Sequence, residues 1–150
     1  MRMLILCITA IVISGCGGSE PEAYNLEDDI RAWVERGESA AEEKDRGELL
    51  DMISTDYADS RGNDRDKIGD TLRVLFFRQN SIALLTSIDD IQLMGDSAAL
   101  VNVTVGMAGT SNSRIGLNAD AYAFEFELEK QGDDWLLIGS RWGELGESLH

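Results

Sequence analysis

Residues 122–142 read YAFEFELEKQGDDWLLIGSRW, and two β-strands with the turn between them are legible in that string. Tyr122, Phe124, Phe126 and Leu128 alternate with Ala123, Glu125, Glu127 and Glu129. Successive side chains of a strand point to opposite faces, so this period of two sends rings and aliphatic groups one way and carboxylates the other. Gln131-Gly132-Asp133-Asp134 supplies turn residues, and Trp135 to Trp142 is the returning strand. The hairpin needs something apolar to cover its aromatic face.

Working backwards, the same period continues. Val101, Val103, Val105 and Met107 alternate with Leu100, Asn102 and Thr104. Ile82, Leu84 and Ile88 open an earlier strand, whose pattern predicts a bulge near Asp89-Asp90 before Ile91 and Leu93 resume. Gly95-Asp96 is a turn, and Gly109 to Asn118 reads as a polar loop. Before Asn80 the period is helical. Ile30, Trp33, Val34, Ala40 and Ala41 predict a first helix from about residue 26, with Asn25 as its N-cap. Lys44-Asp45-Arg46-Gly47 interrupts it, and Leu49, Leu50, Met52 and Ile53 make a short second helix. Thr55 to Asp59 is a short extended piece. Asn63 or Asp64 caps a third helix carrying Ile68, Leu72, Leu75 and Phe76. Helices followed by a run of antiparallel strands argue for an α+β domain: three helices packed on a curved sheet of about four long strands.

A chain of 150 residues with 43% hydrophobic content is long enough for one core. The net charge of −15 repels nucleic-acid phosphates, so no nucleic-acid partner is expected. No phosphate loop, nucleophile elbow or histidine-rich metal motif is present, and neither cofactor nor metal is expected.

The succession of elements across residues 26–146 resembles the nuclear transport factor 2-like superfamily, the cystatin-like α+β cone. The features that carry the resemblance are the long helix broken at Lys44-Asp45-Arg46-Gly47, the short helix Glu48–Ile53, Asp56-Tyr57-Ala58-Asp59, and the meander ending in Gly132-Asp133-Asp134-Trp135-Leu136-Leu137-Ile138. It implies a pocket inside the cone, with Asp56, Tyr57, Trp135 and Trp142 as candidate pocket residues. It also implies, for some members, isomerase or dehydratase chemistry resting on an aspartate base or a histidine with an acid. Here the only histidine is the terminal His150, and the position expected for the isomerase-like base is Arg61. No catalytic residue is therefore assigned. The expected function is a non-catalytic domain binding a protein partner or a small apolar ligand; the alternative is an isomerase- or dehydratase-type enzyme using the same pocket.

The N-terminus carries an address. Met1 and Arg2 precede an apolar run, Met3 to Ile13, too short to span a bilayer but of the length of a signal peptide's hydrophobic region. Ile13-Ser14-Gly15-Cys16 resembles the lipobox of bacterial lipoproteins. That resemblance implies a signal peptide over residues 1–15, lipidation of Cys16, and a bilayer partner reached through the acylated residue. Residues 16–25 read as a tether. Cys7 would leave with the signal peptide, so the processed chain would hold no disulfide. Gly17 after the cysteine points to the outer membrane, facing the periplasm, if the host is Gram-negative.

Three further clusters have a structural and a functional reading each. Asp59, Asn63, Asp64 and Asp66 offer oxygens to calcium but lack the EF-hand's glycine and final glutamate, which favours a loop with a helix cap. Glu125, Glu127 and Glu129 are a solvent face or a basic-partner site. Ser111, Asn112, Ser113 and Arg114 are a hairpin connection or a contact loop.

Overall fold

The computed structural model describes residues 21–111 and 117–150. Residues 1–20, where the signal peptide and lipidated Cys16 are expected, and residues 112–116 lie outside the described part. Three helices, α1 (Pro21–Glu42), α2 (Arg46–Asp51) and α3 (Arg65–Arg78), precede four strands: β1 (Gln79–Met94), β2 (Ala98–Ser111), β3 (Leu117–Gln131) and β4 (Asp134–Glu144). The strands form one antiparallel sheet in the order β1-β2-β3-β4. This is the α+β architecture that the change of period predicts.

The boundaries show local chemistry at work. The first helix starts at Pro21, so residues 21–25, read from sequence as tether, are helical and Asn25 lies inside the helix. Proline suits a first helical turn because its fixed φ matches the helix and its missing N–H has no partner there to lose. Asp45 caps α2 by accepting from the Glu48 N–H at 3.0 Å, and Asp64 caps α3 by accepting from the Lys67 N–H at 2.8 Å. Lys44 turns the chain between α1 and α2 with φ of 58°. Gly69 lets α2 and α3 close up: a Cβ there would sit 2.6 Å from Arg46 Nη2 and 3.3 Å from Leu50.

The predicted bulge falls between Ile88 and Asp90, and a second irregularity separates Glu127 from Leu128. The sheet has two edge strands, and each is covered in part. Along β4, Ser54 N–H donates to Leu137 O, Leu137 N–H to Met52 O, and Ala58 N–H to Ile138 O. On β1, the Leu84 N–H donates to the Glu42 carboxylate at 2.7 Å, and Lys44 Nζ to Gln79 O at 2.8 Å.

The dry core lies at one end of the sheet, where Ile30, Tyr57, Ala99, Val101, Leu128 and Trp135 pack together. Leu26, Ile91 and Leu93 seal it from the sides. Towards the other end the helices stand off from the sheet. Among the described residues no helix is long and apolar enough to cross a membrane.

Candidate functional site: an apolar cavity inside the cone

Between the helices and the concave face of the sheet lies a cavity of about 500 Å³, within the range of small-molecule sites. The alternation of the strands builds its floor. Val105 and Met107 of β2, Tyr122, Phe124 and Phe126 of β3, and Trp142 of β4 all present their side chains on the inner face. The rings form a connected wall. Phe124 stacks on Phe126 with centroids 5.3 Å apart and on Trp142 at 6.3 Å, while Tyr122 meets Trp142 edge-on at 6.1 Å. Trp33 of α1 closes against Phe126 edge-on at 5.8 Å.

The roof is helical. Trp33, Val34, Gly37, Glu38 and Ala41 of α1 fall at spacings that share one face, and Ile68, Leu72, Leu75 and Phe76 of α3 do the same. The small residues Gly37 and Ala41 stand in this roof, and a Cβ added at Gly37 would lie 3.4 Å from Met52 Cε. The polar groups among the lining residues are few: the Glu38 carboxylate, the Thr71 and Thr86 hydroxyls, the Tyr122 phenol and the indoles of Trp33 and Trp142. Trp33 Nε1 is buried without an acceptor among the described residues. Burial pushes the Tyr122 phenol above its ordinary pKa, and the nearby Asp120 and Glu144 push in the same direction. No lysine, arginine or histidine lines the cavity.

The residues singled out from sequence are scattered relative to it. Trp142 lines it. Trp135, 5% exposed, belongs to the dry core instead. Asp56 is exposed at the α2–β4 junction, and its N–H donates to Ser54 Oγ at 3.2 Å. Tyr57 is 3% exposed and turned into the core, where its hydroxyl shares a 2.7 Å hydrogen bond with Ser140 Oγ and donates a long one, 3.4 Å, to Asp59 Oδ2. Burial raises its pKa. Neither Asp56 nor Tyr57 is among the lining residues.

Arg61 lies 3.6 Å above the Trp142 ring and donates to Trp142 O at 2.9 Å. The guanidinium thus braces the cavity's aromatic wall from the loop side. Asp59 organises that loop by accepting from the N–H groups of Arg61 and Asn63 and from Asn63 Nδ2, at 2.7–2.9 Å. With Asp64 on α3's cap, both Asp59 and Asp64 are spent on backbone donors. No group of three or more potential metal ligands is found among the described residues. His150 pairs through its backbone with Trp142, folding the C-terminal residues back along β4.

Of the outward carboxylates, Glu125 pairs with Arg141 across the β3–β4 hairpin, while Glu127 and Glu129 are exposed. Glu38 is the site residue that sequence reading passed over. The available signal was its place at the edge of α1's apolar stripe, beside two small residues.

No protein-family model matches the sequence, and no curated protein matches it. Solved structures do. A hexachlorocyclohexane dehydrochlorinase from Novosphingobium barchaimii LL02 superposes with a TM-score of 0.72 at 11% identity, over 88% of this chain and 94% of that one. A ketosteroid isomerase-like protein from Erwinia carotovora atroseptica gives 0.67 at 14% identity, over 87% and 100%. A nuclear transport factor 2-like superfamily protein from Salmonella enterica serovar Typhimurium gives 0.69 at 12%, over 84% and 99%. At such identities the likeness concerns fold. Three helices packed on a four-strand antiparallel sheet are what superposes, and the chain has the nuclear transport factor 2-like fold.

Proposed function

We propose that this domain is a binding module that takes a small apolar ligand into its cone without transforming it, and that lipid on Cys16 holds it to a bacterial membrane. The observation that carries the binding part is the cavity: about 500 Å³ walled by aromatic and aliphatic side chains. The chain's own side chains leave an apolar space of this size, which is within the range that takes a small ligand. General acid–base work needs a group tuned near ambient pH and within hydrogen-bond reach of the proton it moves. Asp56 is exposed outside the cavity, and Tyr57 is engaged with Ser140. The anchoring part rests on Ile13-Ser14-Gly15-Cys16 and the apolar run before it. Its membrane would be the outer one, periplasmic side, in a Gram-negative host.

A second reading, an isomerase or dehydratase in the same cone, draws on the enzymes among the structural neighbours. It also draws on Glu38 and Tyr122, which place an acid and a phenol on the cavity wall. One experiment separates the two. Purified protein is titrated into the neutral dye N-phenyl-1-naphthylamine, and then incubated with β,γ-unsaturated ketones and β-hydroxy ketones. Saturable dye fluorescence with every ketone recovered unchanged is the expected result. Turnover abolished by Glu38→Gln establishes the enzyme instead.

A further inference from the structure

We infer that the ligand of this cavity carries a positively charged head: a hydrophobic amine, held by Glu38 and the aromatic wall. The inference rests on the binding reading above and names the ligand's chemistry. Glu38 is the one carboxylate lining the cavity, and it is half-buried. It has no hydrogen-bond or ion-pair partner among the described residues, and no basic side chain lines the space that would neutralise it. A carboxylate with no partner of its own at an apolar wall offers an arriving cation an unanswered charge.

Two further features point the same way. Glu38 lies near the C-terminal end of α1, where the helix's carbonyls concentrate partial negative charge, and the last turn of α1 contains no basic residue. The nearest lysine in sequence, Lys44, is engaged with Gln79 O. The cavity wall is also rich in rings, and the faces of Trp33, Tyr122 and Phe124 are of the kind that attract ammonium groups. An anionic amphiphile finds the reverse: a negative wall, a negative helix end and a chain of net charge −15.

Three ligands with one hydrocarbon tail test this: decylamine, decanol and decanoate, each competing with N-phenyl-1-naphthylamine below its aggregation limit at about 0.15 M salt. Decylamine should displace the dye at about a tenfold lower concentration than decanol, and decanoate should be the weakest. Glu38→Gln should bring decylamine level with decanol. Glu35→Gln, which removes an exposed charge from the same helix, should leave the preference intact and so excludes a general effect of net charge. Equal competition by the three, preference for decanoate, or a preference that survives Glu38→Gln overturns the assignment while the cone remains a binding site. If neither dye nor any decyl compound binds, the binding reading itself fails and this assignment falls with it.

Discussion

Asp59 gathers the donors of its loop, and its titration reports on them. Burial alone would raise its pKa, but hydrogen bonds from the Asn63 side chain and N–H, the Arg61 N–H and the Tyr57 hydroxyl outweigh burial and hold the carboxyl below its ordinary value. A depressed carboxyl contributes stability that is whole above the unfolded pKa of about 3.9 and is lost as pH falls through the folded pKa. Asp59→Ala should therefore lower the melting temperature at pH 7 and lower it by less at about pH 2.5. Equal losses at the two pH values would show that the carboxylate's charge contributes nothing. The neighbouring Tyr57→Phe removes the hydroxyl that satisfies buried Ser140, and denaturant unfolding should register a loss of about 1–2 kcal/mol. An unchanged midpoint would mean that Ser140 finds another partner.

At the scale of elements, facing decides cost. Val101 is fully buried in the dry core, so Val101→Asp should unfold the domain: an unpaired buried carboxylate costs several kcal/mol against a total of about 5–15. Phe124 faces the cavity, where a carboxylate can reach water, so Phe124→Asp should be milder. Glu127 points outward, and Glu127→Lys should be nearly silent. Circular-dichroism melts giving any other order would contradict the assigned facing. This facing was legible in the sequence, because the period of two in Tyr122–Leu128 and Val101–Met107 is a direct record of which side meets the core. So were the Asp64 cap and the bulge beside Asp89. The start of α1 was not, since a proline preceded by a glycine- and serine-containing stretch reads as linker until packing selects its role as a first helical turn. Pocket membership was the least legible. Trp135 and Trp142 carry the same signal as aromatic residues on one strand, yet one is sealed under Ile30 and Leu128 while the other faces open space. What separates them is where the helices diverge from the sheet, a long-range property. Glu38, at the margin of a stripe, looked like any solvated helix acid.

At the scale of the whole molecule, the proposed anchor would hold a domain with an apolar cavity. If Cys16 bears the lipid, Cys16→Ser should release the protein from the membrane fraction, since the thioether requires a thiol and the domain itself presents no spanning helix among the described residues. Equal incorporation of labelled palmitate into wild type and variant would contradict the anchor. The net charge of −15 opposes contact with nucleic-acid phosphates and anionic lipid head groups.

The most direct measurement fills the cavity. Ala41 lines the cavity from α1, and Ala41→Trp would place an indole in the space between helix and sheet. N-phenyl-1-naphthylamine is titrated against wild type and variant side by side, with a thermal melt of each as the control for folding. Saturable single-site enhancement with wild type, and its loss in a variant that melts at the same or a higher temperature, is the predicted result. No saturable binding by wild type, or equal binding by the two proteins, would contradict a cone that works by enclosing an apolar ligand.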